Sequence, residues 1–258
     1  MAAEVLRKLP NEKIVYFADN AHVPYGERPL EQIREFALGI CDFLIGQGAK
    51  AVVMACNMSS AVALDAARKH FPNIPILGVI EPGARAAVAA SASRPIGVLA
   101  TTGTVKSEAY VRSITRLDPG RIVFQQACPK FVPLVESGSA ESEEAEAAAC
   151  TYVAPLVSAG CETLILGCTH YPFLRRPIAS AAGPEVAIID PAEETVRALE
   201  NTLLEKGLAS DRLDSPHEFF ASGDTDGFAE LGSAFLGRSI ERVATRQLPA
   251  FSLMSECQ

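Results

Sequence analysis

The sequence predicts an α/β fold in which mostly parallel sheets are flanked by helices. Short apolar runs alternate with longer segments of helical periodicity along the chain, which is the pattern of α/β proteins. Several runs are apolar throughout, for example AVVMA at residues 51–55, as expected of strands covered on both faces. A hydrophobic fraction of 48% is ample for a sizeable core.

Each element follows from its apolar spacing and from the Pro, Gly or Asn residues that end it. In the first half, strands are predicted at residues 14–18, 51–55, 74–80 and 95–100. Helices are predicted at residues 1–9, from near Pro29 to before Gly46, and from after Ser60 to about His70. Two further helices are predicted at residues 84–92 and 106–117. Residues 19–26, 81–83 and 101–104 are predicted as loops.

The second half continues the same alternation, so that strand and helix succeed each other to the end of the chain. Strands are predicted at residues 122–127, 164–166, 186–189 and 217–221. Helices are predicted at residues 141–155, up to Ala182, and at residues 194–206 and 224–235, with loops at residues 190–193. The tail after Arg246 is expected to be poorly ordered.

Length and charge limit the partners. A chain of 258 residues fits one large domain or two modest ones. The net charge of −8 argues against nucleic acid and anionic membrane surfaces as partners. The sequence has no apolar run near the roughly 18 residues of a membrane helix, and it opens without a secretory leader pattern. We therefore expect a cytoplasmic protein with no membrane partner.

The seven cysteines are irregularly spaced, and no CxxC pair occurs among them. This argues against a zinc or thioredoxin-type site and favours free thiols, most of them buried. The histidines at positions 22, 70 and 217 do not join Cys168 and His170 at a recognisable ligand spacing, so no metal is expected. We interpret most thiols as structural or exposed, namely Cys41, Cys128, Cys150, Cys161 and Cys257.

The stretch TLILGCTHYPFL at residues 163–174 is the strongest candidate for chemistry. An apolar strand runs into Cys168, Thr169 and His170, and Pro172 is expected to stop the strand. In open α/β sheets, ligands bind at the carboxyl ends of strands. A thiol, a hydroxyl and an imidazole are therefore predicted at a ligand-binding edge.

An internal repeat links this stretch to an earlier one. Residues 51–83 and 163–192 share one plan: apolar strand, Cys, hydrogen-bonding residue, helix, apolar strand, acid-Pro. The separation is 26 positions from Cys56 to Pro82 and 23 from Cys168 to Pro191. A duplicated half-domain would bring each cysteine to a strand end, although any two βαβ units share much of this pattern.

Two cysteines facing one ligand suit a reaction that inverts a carbon centre. One thiolate removes a proton from one face while the other thiol returns a proton to the opposite face. A helix start lowers the pKa of a thiol from its ordinary value of about 8.5. His170 is expected to lie on the same side of an extended segment as Cys168 and to hold or shuttle its proton.

Other polar groups are candidates for binding a charged substrate. Hydroxyls and loop N–H groups after the strand at residues 95–100 suit a carboxylate. The candidates are Thr101, Thr102, Thr104, Asn57, Ser59, Thr169, Tyr25 and Gly26.

Each of these residues also has a structural interpretation. Cys56 and Cys168 fit buried core thiols, and His170 fits a hydrogen-bonded structural histidine. Residues 101–104 fit a helix N-cap. Glu136 fits a solvated helix position.

Five segments of the chain resemble those of glutamate racemases, cofactor-independent enzymes of the aspartate/glutamate racemase superfamily. They span most of the chain in family order, and the last is the most specific. The segments are LPNEKIVYFADNAHVPYG (9–26), VVMACNMSSA (52–61), GVLATTGTVKSEAY (97–110), ACPKFVPLVESG (127–138) and LILGCTHYPFL (164–174).

The resemblance implies two pseudo-symmetric α/β domains, residues 1–82 with 192–258 and residues 83–191, and an active site in the cleft between them. Cys56 and Cys168 would be the catalytic acid/bases, with His170 assisting Cys168. The product, D-glutamate, would supply peptidoglycan synthesis, and homodimers are common in the family. The substrate site would be lined by Pro24, Tyr25, Gly26, Asn57, Thr101, Thr104, Glu136 and Thr169.

Two departures from the family pattern stand out. Met58 replaces the usual threonine after the Cys-Asn pair, which removes a hydroxyl that Ser59 would have to supply. Family members also open with a strand carrying an Asp-Ser-Gly turn, whereas this sequence starts within the counterpart of the following helix. We expect the chain as given to be unstable or weakly active beside an N-terminally extended version.

Other functions stay open at this point. Within the same class, aspartate or a hydantoin would be the substrate. A non-catalytic binding or regulatory protein that keeps the fold is the alternative from a different class. A pyridoxal-dependent racemase is a weaker third possibility.

Overall fold

The structure is a computed structural model that describes residues 1–23, 25, 28–211 and 216–248. These residues form two compact units. The first comprises Met1–Met54, Val62–Leu77 and the chain from Val196, and the second comprises Ala55–Ala61 and Gly78–Thr195. The domain limits expected from the resemblance stay a prediction.

Helices and strands alternate from the start of the chain. The first half contains α1 (Ala2–Lys8), β1 (Val15–Ala18), α2 (Leu30–Gly46), β2 (Val52–Met54), α3 (Asn57–His70), β3 (Ile76–Gly78), α4 (Ile80–Ala90), β4 (Ile96–Ala100), α5 (Thr102–Lys106) and α6 (Ala109–Leu117). The second half contains β5 (Val123–Ala127), α7 (Phe131–Glu136), α8 (Glu143–Ser158), β6 (Thr163–Gly167), α9 (Arg175–Ala182), β7 (Ala187–Ile189), α10 (Pro191–Glu205), β8 (Glu218–Ala221), α11 (Thr225–Leu236) and β9 (Val243–Thr245).

The second unit is built on a parallel four-stranded sheet with the order β5-β4-β6-β7. All five residues of β4 and all five of β6 are buried, so both faces of these central strands are covered. Gly97 suits this packing, because a Cβ there would lie 2.5 Å from a methyl group of Leu164. The strands therefore hold their carboxyl ends in a well-packed frame.

The first unit contains shorter and less buried strands. Among its described residues, β1, β8 and β9 form one parallel sheet and β2 pairs with β3. All four residues of β1 are only half-buried. Leu38 and Cys41 of α2 pack against Ala63 and Ala67 of α3 in one core cluster of this unit. Burying such residues supplies about 25 cal/mol per Å² of apolar surface.

The predicted α/β class with parallel sheets is confirmed. Several residues that were predicted to form loops belong to helices in the structure. Residues 81–83 belong to α4, which already begins at Ile80 within the predicted strand, and α10 begins at Pro191. A proline in the first turn of a helix costs nothing, since its missing N–H has no helical partner there. A signal that was interpreted as a stop therefore opens a helix.

Other boundaries also differ from the predictions. The predicted helix 106–117 is split into α5 and α6, and Glu108 between them has a left-handed φ of 50°. Short 3-10 helices occupy Asn20–His22, within a predicted loop, and Tyr171–Leu174. Strand β9 and helix α7 were not predicted.

The end of the chain adds little to this comparison. Residues 249–258, which include most of the predicted tail and Cys257, lie outside the described residues. In the described ranges, none of the helices combines the length and the apolar composition needed to cross a bilayer.

Candidate active site

The carboxyl ends of three neighbouring strands in the second unit place three polar residues side by side. Ala100, at the end of β4, pairs with the last residue of β5 and with the last residue of β6. The next residues along the three strands are Thr101, Cys128 and Cys168. Ligands bind at this edge of open α/β sheets, so the geometry marks a candidate site.

Cys168 is buried, its sulfur contacts a histidine, and that histidine contacts a carboxylate. Its Sγ lies 3.8 Å from Nδ1 of His170, and Nε2 of His170 lies 3.3 Å from Oε1 of Glu136. The carboxylate favours the tautomer with the proton on Nε2, which leaves Nδ1 as an acceptor. The three groups form a relay from an exposed carboxylate to a buried thiol.

The backbone that brings these groups together is not the expected one. His170 has helical dihedrals, φ −82° and ψ −25°, so the predicted extended segment is wrong. The chain turns into the 3-10 helix Tyr171–Leu174, and the turn folds the imidazole back towards Cys168. The predicted contact is therefore made by a different local geometry.

Burial controls the titration of both groups. It raises the pKa of Cys168 to about 12, although hydrogen bonds from the His170 and Thr169 N–H groups favour the thiolate. The nearby Cys56 sulfur adds to the increase. The lower pKa expected for a thiol at a helix start is thus wrong for Cys168, which is only 8% exposed. Burial also lowers the pKa of His170, against the opposing effect of Glu136.

The second predicted cysteine occupies the start of a longer helix. Cys56 follows β2, and its carbonyl accepts the Ser60 N–H at 2.9 Å, so it caps the 14-residue helix α3. The N-terminus of a helix favours negative charge, which suits a thiolate. Cys56 is half-buried, whereas Asn57 is 5% exposed and accepts a hydrogen bond from the Tyr110 hydroxyl at 2.8 Å.

The threonines after β4 hydrogen-bond to each other. Thr101 accepts the Thr104 N–H at 3.4 Å, and the two hydroxyl oxygens are 3.0 Å apart. Thr101 therefore caps the N-terminus of α5, as the structural interpretation expected, and Thr104 is almost fully buried. Thr169 is exposed, and its Oγ1 lies 3.5 Å from Nδ1 of His170. Their contact with a substrate stays a prediction.

Tyr25 lies in the first unit, where a carboxylate holds it. Its hydroxyl donates to Oδ2 of Asp19. The other Asp19 oxygen lies 2.7 Å from Nδ1 of His22 and accepts the Ser222 hydroxyl at 2.7 Å. This network links Tyr25 through Asp19 to Ser222, which follows β8. Pro24 and Gly26, which were also predicted to line the site, lie outside the described residues.

The second unit contains most of the predicted site residues: Cys56, Asn57, Thr101, Thr104, Glu136, Cys168, Thr169 and His170. Tyr110 was missed, although it ends one of the segments that carry the family resemblance. The partner of a buried tyrosine is set by the tertiary structure, so local spacing gave no signal for its contact with Asn57. The Asp19 network was missed for the same reason.

Comparison with known proteins identifies the family of the chain. The Asp/Glu/hydantoin racemase family profile matches residues 1–199. The glutamate racemase of Desulforudis audaxviator is 45% identical over 247 residues, covering 93% of this chain and 90% of that protein. The crystal structure of glutamate racemase isoform RacE1 from Bacillus anthracis superposes with a TM-score of 0.92 at 37% identity, over 96% of this chain and 93% of that one. Glutamate racemase from Francisella tularensis in complex with D-glutamate gives 0.90 at 31% identity, over 97% and 93%. The chain therefore belongs to the Asp/Glu/hydantoin racemase family.

Proposed function

We propose that the chain catalyses the racemisation of glutamate by proton transfer between two cysteines, Cys56 and Cys168. The observation that carries the proposal is that both cysteines follow strands and belong to the same compact unit, where Cys56 contributes to the raised pKa of Cys168. Relatives named glutamate racemase at 45% and 42% identity support glutamate as the substrate.

The environments of the two thiols suggest their resting roles. The raised pKa of Cys168 keeps it a thiol at neutral pH, ready to donate a proton. Cys56, half-buried at the N-terminus of α3, is the group that removes the α-proton. When the reaction runs in the opposite direction, the roles exchange and Cys168 must lose its proton.

His170 accepts this proton, and Glu136 supports it. Nδ1 of His170 faces the Cys168 sulfur, and the Glu136 carboxylate stabilises the imidazolium that forms. The ammonium group of a bound amino acid would further favour thiolates beside it. A cofactor-independent reaction therefore relies on charges that the chain and the substrate supply.

The remaining predicted residues belong to substrate binding in this proposal. Asn57, Thr101, Thr104 and Thr169 offer amide and hydroxyl groups to the substrate carboxylates. Tyr25 joins them, together with Pro24 and Gly26. Met58 is buried and supplies no hydrogen bond there, so we expect the neighbouring side chains to set the preference for glutamate.

The cellular role follows from the same proposal. D-glutamate made in the cytoplasm would supply peptidoglycan synthesis, and a homodimer is the expected assembly. Size-exclusion chromatography with light scattering measures the assembly directly, with a mass near twice 27.4 kDa expected.

A substrate panel tests the proposed activity. The purified chain is incubated with L-glutamate, D-glutamate, L-aspartate and a hydantoin, and circular dichroism follows the loss of optical activity. We expect both glutamate enantiomers to approach zero signal and the others to change far more slowly. Faster racemisation of aspartate or hydantoin contradicts the substrate, and glutamate binding by calorimetry without α-proton exchange favours a binding protein.

A further inference from the structure

We propose that Tyr110 is a positioning residue that orients the Asn57 amide towards the substrate and spaces the two cysteine-bearing segments. The inference rests on the proposed function and assigns a role to a side chain that does not itself touch the reacting atoms. It is carried by the contacts of Tyr110 at both ends of its ring.

The hydroxyl end of Tyr110 fixes the amide next to Cys56. Tyr110 has no exposed surface, and its O–H donates to Oδ1 of Asn57 at 2.8 Å. Burial raises the pKa of Tyr110 far above its ordinary value, so the hydroxyl keeps its proton and stays a donor. In this orientation the Asn57 amide oxygen is turned to Tyr110, and this hydrogen bond favours the orientation over others.

The amide nitrogen of Asn57 is left available by this arrangement. Among the described residues, no hydrogen bond of the structure uses the Asn57 Nδ2 donors. Tyr110 uses one lone pair of the amide oxygen, and the two Nδ2 N–H groups remain as donors that suit a carboxylate. Tyr110 thus converts an ambivalent amide into a carboxylate donor beside Cys56.

The ring of Tyr110 lies against the other cysteine-bearing segment. A Cβ on Gly167, the residue before Cys168, would come within 3.2 Å of Cε2 of Tyr110. Glycine at this position allows the strand to approach the ring closely. One buried side chain therefore contacts Asn57, which follows Cys56, and Gly167, which precedes Cys168.

This contact pair gives Tyr110 an expected kinetic effect. Misplacing a substrate-orienting group mainly weakens binding that is common to ground and transition states, which raises KM. Loss of one oriented hydrogen bond corresponds to about a tenfold change. Tyr110→Phe removes the hydroxyl and keeps the ring against Gly167, so it isolates the effect on Asn57.

The test is a double-mutant cycle on racemisation and glutamate binding. Tyr110→Phe is expected to raise KM for glutamate and the calorimetric Kd about tenfold, with a smaller change in kcat. In an Asn57→Ala background the same substitution is expected to change KM by less than about twofold, because the amide it orients is gone. Tyr152→Phe, which alters a tyrosine of the same unit whose ring packs on Phe131, is the matched control and should leave KM unchanged.

The outcomes separate this inference from the proposed function. If the wild type racemises glutamate and Tyr110→Phe leaves KM unchanged, the inference alone is overturned. The same holds if Tyr110→Phe raises KM tenfold both in the wild type and in the Asn57→Ala background. A wild type that neither binds nor racemises glutamate overturns the proposed function and the inference with it. If Tyr110→Phe does not fold, Asn57→Ala decides, since an unchanged KM in that variant also overturns the inference.

Discussion

The two cysteine-bearing segments of the second unit share one plan but differ in what surrounds the thiol. Cys168 is buried, precedes a short 3-10 helix and has a histidine 3.8 Å away that contacts a carboxylate. Cys56 is half-buried and caps a 14-residue helix, and its neighbour Asn57 is held by Tyr110.

The difference shows how a duplicated plan can supply two unlike thiols. A reaction that takes a proton from one face and returns one to the other needs an acid and a base at the same moment. Burial raises the pKa of Cys168 and favours its neutral thiol, whereas Cys56 is half-buried and lies at the start of a helix. The asymmetry of the segments is thus expected to set which cysteine donates first.

Removing either thiol is the largest expected effect. Cys56→Ala and Cys168→Ala should each lower glutamate racemisation by at least about 10³-fold, because each removes an acid/base group. Circular dichroism measures the rate in both directions. Cys161→Ala, which removes a buried thiol elsewhere in the unit, is the control and should stay active.

Full activity of Cys56→Ala or of Cys168→Ala would contradict the proposed role of that cysteine. Loss in one variant alone would mean that a single thiol carries the chemistry, and the segment with the other would be structural.

The relay behind Cys168 is expected to have the next largest effect. His170→Asn should lower kcat/KM about 100-fold, since we propose that the imidazole accepts the Cys168 proton. Glu136→Gln should cost about tenfold at most, because its carboxylate is 51% exposed and screened by water. Steady-state kinetics in both directions measures both losses.

Glu141→Gln controls for the loss of an exposed acid in the same unit. Equal losses in Glu136→Gln and Glu141→Gln would show that the relay has no special role.

A stability comparison sharpens the difference between the residues before each cysteine. Gly167→Ala should destabilise the protein by about 1–3 kcal/mol, because its Cβ would lie 2.9 Å from the Leu99 carbonyl oxygen and 3.0 Å from the Ala100 Cβ. Ala55→Gly, the matching position before Cys56, should cost about 1 kcal/mol or less. Urea unfolding measures both; equal costs would contradict the close approach at Gly167.

The pH dependence of stability is the smallest expected effect. The pKa of His170 is lower in the folded chain than in the unfolded chain, where it is about 6.5. The unfolded chain therefore binds more protons between the two values, and stability is lost as the pH falls through this range. The melting temperature should fall more between pH 7.5 and pH 5.5 for the wild type than for His170→Asn. An equal fall in both would contradict the lowered pKa.

The sequence predicted the features that depend on local pattern. Strand and helix periodicities were visible, so the α/β class and the positions of β4 and β6 were predicted correctly. The repeated strand-Cys plan pointed to Cys56 and Cys168 together. The structure adds that the two acid-Pro segments lie against each other, since a Cβ on Gly83 would lie 2.9 Å from Cγ of Pro191.

Features that depend on tertiary contacts were not predictable in this way. The pKa of Cys168 is raised because surrounding elements bury the thiol, and this effect outweighs the lowering expected from a helix start. The Tyr110–Asn57 hydrogen bond joins residues 53 positions apart. Proline in the first turn of a helix and proline after a strand look alike in sequence, so residues 81–83 of α4 and the start of α10 were predicted as loops.

Isotope incorporation in the first turnovers tests the two-cysteine account most directly. The wild type is incubated with L-glutamate in deuterium oxide, and proton NMR with chiral separation reports α-deuterium in each enantiomer. The account predicts that D-glutamate carries deuterium from the first turnover while the remaining L-glutamate stays largely protiated, because different thiols remove and return the proton. D-glutamate that retains the original proton would contradict it, since a single group would then serve both faces.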